Sequence, residues 1–128
     1  MNSIIPIQSE NAPAAIGPYS AAVQVGNLII TSGQLPIVPE TGKLAEGSMG
    51  EIARQSLNNI KALLEAAGSR MEYVVKTTIF MTNLAYFAEV NEAYAAFFGS
   101  TPPARSCVQV AALPKGAPIE IEAVALGK

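Results

Sequence analysis

The chain has 128 residues, a formal net charge of −2, one cysteine and no histidine. This length is enough for one domain with its own core, so we expect a single domain spanning residues 1–128. All ten acidic residues are glutamates, so a Ser-His-Asp triad is excluded within the chain. A histidine-ligated zinc site and a cysteine cluster are excluded too. The eight basic residues are scattered along the sequence, which gives no electrostatic signature of nucleic-acid binding.

The charge content is low for a soluble domain. Only 14% of the residues are charged, against about 25% in a typical soluble domain, and half are hydrophobic. No apolar run approaches the roughly 18 residues of a membrane span, so we expect no membrane segment, and the N-terminus has no signal-peptide pattern. The lone cysteine excludes an intrachain disulfide and favours the reducing cytoplasm. The low charge therefore indicates a homo-oligomer whose surface is partly covered by other subunits.

The first third of the chain predicts one hairpin between irregular stretches. A short edge strand is expected near residues 4–6, because a proline there cannot donate to a neighbour. Strands at 22–25 and 28–32 are joined by a Gly-Asn pair, a strong signal for a tight hairpin. Several proline and glycine turn markers then predict a long loop over residues 34–47.

The middle of the chain predicts a long helix followed by a strand. Ser48 and Glu51 have the spacing of a capping box, and Gly68 is expected to end the helix. Residues 73–81 are rich in β-branched and aromatic side chains, with one face formed by Val75, Ile79 and Met81. A strand, a long helix and a second strand together favour a crossover unit with parallel strands.

A second helix is expected between Asn83, its N-cap, and Gly99. Its apolar stripe consists of Leu84, Phe87, Val90, Tyr94 and Phe97. Asn91 lies within this helix, where an asparagine usually faces solvent, although a rigid helix also suits a donor pointed into a cleft.

Two alternating stretches near the C-terminus are predicted strands. Arg105, Cys107 and Gln109 share one face of the first, while Glu120 and Glu122 share one face of the second, and the proline-rich connector cannot continue a ladder. We expect an α+β domain with a mixed β-sheet and both helices packed on one face. The opposite face carries few charges, so we expect it to pack against a copy of itself.

The residue pattern alone does not decide whether these side chains have catalytic or structural roles. An arginine and a glutamate on strands more often form a structural ion pair or lie in solvent than act in catalysis. A glycine at a strand end, such as Gly33, more often marks a turn or bulge than a ligand contact. Cys107 has no histidine to activate it, which favours a packing role over covalent chemistry.

Six segments, in order over almost the whole chain, resemble the Rid family, also called YjgF-type proteins. The segments are 11–20 (NAPAAIGPYS), 30–36 (ITSGQLP), 76–80 (KTTIF), 90–92 (VNE), 103–108 (PARSCV) and 119–122 (IEIE). Because both Arg105 and Glu120 are present, the chain is most similar to the deaminase-active members. It departs from the pattern at Ala21, where many relatives have glutamine, and at Ala112, where many have arginine.

This resemblance implies a chorismate-mutase-like fold and a homotrimer with a central barrel, with active sites in clefts between subunits. It implies hydrolysis of small 2-imino acids, such as 2-iminopropanoate and 2-iminobutanoate, to 2-oxo acids and ammonia, with no cofactor and no metal. Such imines are released by pyridoxal-phosphate enzymes like threonine dehydratase. Some relatives have instead been described as regulatory modules, translation inhibitors or ribonucleases, so a non-enzymatic module that senses 2-oxo or amino acids is the alternative.

The resemblance also assigns the site. Arg105 and Glu120 are the predicted catalytic residues: the guanidinium grips the substrate carboxylate with two parallel hydrogen bonds, and the carboxylate activates water. The predicted substrate-binding residues are Tyr19, Ser32, Gly33, Asn91, Arg105 and Cys107.

Overall fold

A six-stranded mixed sheet with helices on one side forms the scaffold. The computed structural model describes residues 3–127. Its strands and helices are β1 (Ile5–Ile7), β2 (Ala22–Val25), β3 (Leu28–Thr31), β4 (Ile37–Val38), β5 (Lys43–Leu44), α1 (Met49–Ala66), β6 (Val74–Met81), α2 (Phe87–Ala95), β7 (Ala104–Gln109) and β8 (Ile119–Leu126). The sheet order is β1-β2-β3-β8-β6-β7, and β4 and β5 form a separate two-stranded sheet. The α+β prediction with a mixed sheet is confirmed.

The hairpin and the crossover predicted from the sequence are both present. Strands β2 and β3 pair antiparallel around Gly26, which has a φ of 57°. Strands β3 and β6 each pair antiparallel with β8, so they run parallel to each other with β8 inserted between them. Strand β7 pairs parallel with β6 after the crossover through α2. Strand β1 lies at the sheet edge, as its proline predicted.

Helix α1 begins and ends where its capping residues predict. The Ser48 hydroxyl accepts a hydrogen bond from the Glu51 amide at 3.2 Å, and the Glu51 carboxylate accepts one from the Ser48 amide at 3.4 Å. Gly68, with a φ of 79°, lies just past the helix end. The inward face includes Leu57, Ile60, Leu63 and Leu64, all fully buried. Each of these side chains stabilises the fold by about 1.5–3 kcal/mol.

The prediction of a long loop over residues 34–47 is wrong, because this stretch contains the β4–β5 hairpin. Gly42, with a φ of 74°, allows the tight turn between its strands. The side-chain amide of Asn59, fully buried on α1, donates to the carbonyls of Leu35 and Ile37 at 3.2 and 2.9 Å. A buried side chain from a distant helix thus helps to hold this hairpin in place, which local sequence does not reveal.

Two expected inward positions are also wrong. Val75 is 42% exposed, because the β6–β8 register shifts between Val74 and Lys76 and places Val74 inward instead. A bulge of this kind turns one residue to the other face of the sheet. Leu84 is 39% exposed, because residues 84–86 form a 3₁₀ turn capped by Asn83 and so lie outside the α2 periodicity.

The two faces of the sheet differ in burial. Ile29, Ile79 and Ile121 lie on the helix-covered face and are fully buried. On the opposite face, which we call the outer face, Ile30 and Val108 are 41% and 43% exposed. Within residues 3–127, no helix is long and apolar enough to cross a membrane.

Candidate active site

The sheet register places Arg105 and Glu120 on opposite faces of the same protomer. Arg105 is paired with Thr77, whose side chain is buried under α2. Glu120 is paired with Phe80 and lies between the buried Ile119 and Ile121, so it faces outward. Strand β6 separates their two strands. Both residues thus belong to the same mixed sheet, but one protomer does not bring their side chains together.

The Arg105 guanidinium is held by one face of α2. Its Nη1 donates to Oδ1 of Asn91 at 2.7 Å. Its Cζ lies 5.3 Å from the centre of the Phe87 ring and 4.9 Å from that of Tyr94, both within cation–π range. The Tyr94 hydroxyl is itself fixed by a buried 2.7 Å hydrogen bond with Thr77. We call Phe87, Asn91, Tyr94 and Arg105 the arginine half-site.

The arginine half-site opens into a cavity of about 430 Å³ that Asn91, Tyr94 and Arg105 line. A guanidinium carries five N–H donors. Within residues 3–127 the bond to Asn91 is the one hydrogen bond that it makes. The remaining donors suit a planar anion such as a carboxylate, which Arg binds through two parallel hydrogen bonds.

A second cavity, of about 550 Å³, contains all the other predicted residues except Cys107. Tyr19, Ser32, Gly33 and Glu120 all line it, and we call these four the glutamate half-site. Most of the remaining lining is apolar and includes Ile16, which is 75% exposed. Exposed apolar surface of this kind is costly to leave in water and marks interaction sites. We therefore interpret the cavity as one wall of a cleft that another surface completes.

Ser32 and its neighbours are fixed by hydrogen bonds. The Ser32 hydroxyl donates to the Ser20 carbonyl at 2.7 Å, and the Ser32 amide donates to the Ala21 carbonyl at 2.9 Å. The Gln34 amide donates to the Ile121 carbonyl at 2.7 Å. Residues 32 and 34 are thus fixed on either side of Gly33, next to Glu120.

Electrostatics favours a proton-accepting role for Glu120. Burial raises the pKa of its carboxyl group, and the neighbouring Glu122 carboxylate raises it further. A carboxylate whose pKa is shifted towards neutrality is a stronger base than an exposed glutamate. The geometry and the pKa shift together mark Glu120 as the group in this cavity best suited to activate water.

Cys107 lines neither cavity. Its Sγ lies 3.8 Å from Sδ of Met81, and burial raises the pKa of the thiol although Arg105 opposes this shift. A thiol that is protonated at neutral pH is a poor nucleophile. The structure therefore fits the packing role for this side chain. Its strand, β7, lies at the edge of the sheet.

Sequence reasoning missed the aromatic part of the arginine half-site. Phe87 and Tyr94 were assigned only to the apolar stripe of the helix, yet with Asn91 they follow an i, i+4, i+7 spacing that places all three on one face. Lys115 was missed too: it lines the glutamate cavity and has a φ of 60°. That conformation is uncommon for a residue other than glycine.

Comparisons with known proteins place the chain in a family. Residues 9–127 match the family described as Endoribonuclease L-PSP. The 2-iminobutanoate/2-iminopropanoate deaminase of Salmonella typhimurium is 55% identical over 123 residues, which cover 94% of this chain and 95% of the relative. The protein of the same name in Escherichia coli has the same identity and coverage.

Solved structures agree with the fold. The crystal structure of the YjgF gene product from E. coli is 52% identical, with a TM-score of 0.91 and coverage of 96% of this chain and 98% of that one. E. coli TdcF with bound serine is 45% identical, with a TM-score of 0.90 and coverage of 94% and 97%. The chain therefore belongs to the Endoribonuclease L-PSP family, which includes the Rid (YjgF-type) proteins that its motifs resemble.

Proposed function

We propose that this protein hydrolyses small 2-imino acids, such as 2-iminobutanoate and 2-iminopropanoate, to 2-oxo acids and ammonia. The observation that carries the proposal is that the sheet presents a carboxylate-binding group on one face and a base on the other. A preorganised guanidinium opens into one cavity, and a carboxylate of raised pKa lines the other. The relatives that are 55% identical to this chain are named as deaminases of these imines.

The active site is composite and forms between protomers of a homotrimer. Since one protomer keeps Arg105 and Glu120 on opposite faces, a substrate meets both only where the arginine half-site of one copy faces the glutamate half-site of the next. A cyclic homo-oligomer repeats such a head-to-tail contact at every interface. The exposed Ile30 and Val108 on the outer face, and the low overall charge, support this assembly.

Arg105 binds the substrate carboxylate. The planar fork of the guanidinium gives two parallel hydrogen bonds and fixes the position of the adjacent imine carbon. Asn91 and the two aromatic rings hold that fork before substrate arrives, so little freedom is lost on binding. Attack by water on the fixed carbon then becomes effectively intramolecular.

Glu120 moves the protons. As water adds to the carbon of the protonated imine, one water proton passes to the Glu120 carboxylate, and a carbinolamine forms. Glu120 returns this proton to the amino nitrogen, the carbon–nitrogen bond breaks, and the carbonyl of the 2-oxo acid forms. The hydroxyl proton leaves with the nitrogen as ammonium, and Glu120 is again ionised.

The proposed setting is the cytoplasm, where pyridoxal-phosphate enzymes release such imines and where a free thiol is stable. Nucleic acid is not a proposed partner. The net charge is −2 and the eight basic residues are scattered in the sequence, so the electrostatic term that dominates nucleic-acid binding is weak here.

The test is a coupled assay. A threonine dehydratase generates 2-iminobutanoate in place, and the rate of 2-oxobutanoate formation is measured with and without the protein. We expect the wild-type protein to accelerate this step and the Arg105→Ala variant to leave it at the spontaneous rate. An unaccelerated step with folded wild-type protein would contradict the proposal.

One observation favours a second candidate, a module that senses amino or 2-oxo acids in the same cleft. E. coli TdcF has been crystallised with bound serine. Calorimetric titration with 2-oxobutanoate and serine separates the two candidates. Binding without any acceleration of imine hydrolysis would establish the sensor, whereas acceleration establishes the enzyme.

A further inference from the structure

Gly33 lies directly under the Glu120 side chain. A Cβ atom added at Gly33 would lie 2.6 Å from Cδ of Glu120, 2.8 Å from its Oε2 and 3.0 Å from its Cγ. Contacts under 3.0 Å are far inside the ordinary van der Waals range of about 3.5–4.0 Å. The carboxyl group therefore occupies the space that any other residue at position 33 would fill.

The backbone conformation does not explain the glycine. Among residues 3–127, five glycines have a positive φ, and Gly33 is not one of them. An alanine is therefore compatible with the backbone here. What excludes a larger residue is space, and the atoms in the way belong to Glu120.

Gly33 cannot retreat from the carboxyl group, because its neighbours are anchored. The amide of Gln34 donates to the carbonyl of Ile121 at 2.7 Å, and the amide of Ile121 donates back at 3.1 Å. On the other side, the Ser32 hydroxyl and amide bond to the segment before β2. The separation between Gly33 and the β8 backbone that carries Glu120 is thus fixed by hydrogen bonds.

We propose that Gly33 is a positioning residue. Because it has no side chain, the Glu120 carboxyl group can pack directly against the backbone that follows β3, and this contact holds the carboxylate where it activates water. This inference rests on the proposed function of Glu120. This positioning role differs from direct substrate binding by the Gly33 backbone, because Gly33 acts here through the position of the Glu120 side chain.

The test is a double-variant cycle. In Gly33→Ala the flexible Glu120 side chain swings away, and we expect kcat to fall about 10- to 100-fold, since a displacement near 1 Å can cost about 100-fold. In a Glu120→Gln background the same substitution should change kcat less than about threefold, because the base whose position it disturbs is already absent. The pKa of Glu120, followed by ¹³C NMR or by the acidic limb of the pH profile, should fall as the carboxyl group reaches solvent.

Gly50→Ala is the matched control. Gly50 also has a φ outside the positive range, and its added Cβ would also meet a glutamate, Glu89, but at an ordinary 3.6 Å. This variant should keep wild-type kcat. Thermal unfolding should place Gly50→Ala within a few degrees of wild type, since Gly→Ala at a compatible position is mildly stabilising. Gly33→Ala should also remain folded, because the atoms its Cβ meets belong to a side chain that can swing away.

Two results would overturn the inference. One is an unchanged kcat and an unchanged Glu120 pKa in Gly33→Ala. The other is an equal loss in both backgrounds, which would assign the effect to the Gly33 backbone. Failure of the proposed function is seen separately, as full activity of Glu120→Gln alone, and the NMR titration still reports whether Gly33 positions the carboxyl group.

Discussion

The two half-sites hold their charged groups by different means. Arg105 is held by contacts: its guanidinium donates a hydrogen bond to Asn91 and lies over two aromatic rings of α2. Glu120 instead packs into the space left by the missing side chain of Gly33, and its partial burial raises its pKa. A cation that must bind a carboxylate benefits from rigid orientation. A base that must exchange protons benefits from a partly desolvated position with room around its oxygens.

The largest effect is expected at Arg105. In the proposed mechanism Arg105→Ala removes both hydrogen bonds to the substrate carboxylate, so kcat/KM should fall about 1,000-fold, given about 1.5–3 kcal/mol for each charged hydrogen bond. Arg70→Ala is the control, because Arg70 also stacks on a tyrosine ring, with its Cζ 5.0 Å from the centre of the Tyr73 ring, but lines neither half-site. Steady-state imine hydrolysis measures both. A loss below tenfold in Arg105→Ala would argue against carboxylate binding by this residue.

Glu120→Gln should cost about tenfold less than Arg105→Ala and act on a different parameter. It keeps the shape of the side chain but removes the base, so kcat should fall about 100-fold, the lower end for general base catalysis. KM should change little, since the carboxylate contact to Arg105 remains. A rise in KM with unchanged kcat would instead make Glu120 a binding group, and the contrast between the half-sites would disappear.

Asn91 tests whether rigid orientation matters on the arginine side. Asn91→Ala removes the 2.7 Å hydrogen bond to the guanidinium. We expect kcat/KM to fall about tenfold, as for the loss of one charge-assisted bond. Glu92→Ala, at the next and exposed position of α2, should be neutral. Equal activities of these two variants would show that the aromatic rings alone hold Arg105.

The smallest effect is a shift in pH dependence. The like charge of Glu122 is the second cause of the raised pKa of Glu120, after burial. Glu122→Gln should therefore lower this pKa and move the acidic limb of the kcat profile to lower pH, while activity near pH 7 changes less than about threefold. The limb should stay above the range of an exposed carboxyl, because burial is unchanged. If the acidic limb does not move, it reports the ionisation of a group other than Glu120.

Sequence patterns reached the fold more easily than the site. Capping residues, the Gly-Asn turn and strand alternation are local signals, and they placed α1, the β2–β3 hairpin and the α+β class. The β4–β5 hairpin depends on the side chain of Asn59 from a distant helix, and the position of Val75 depends on a bulge. Neither feature leaves a local signal.

The sequence predicted which residues form the site but not how they are placed relative to one another in the sheet. The family motifs named both Arg105 and Glu120, but alternation within each strand does not fix how strands align with one another. The register of β7 and β8 on β6 is what puts the two on opposite faces. The cation–π contacts of Arg105 and the close approach of Gly33 to Glu120 are tertiary contacts that only a folded chain reveals.

The most direct test of a site shared between copies is complementation of two inactive variants. Arg105→Ala and Glu120→Gln proteins are mixed, unfolded and refolded together, and imine hydrolysis is measured. If each site takes its arginine from one protomer and its glutamate from the next, random mixing restores about a quarter of the sites, so activity should return to about that fraction of wild type. Activity no higher than that of the separate variants, in trimers shown to be mixed, would contradict the account.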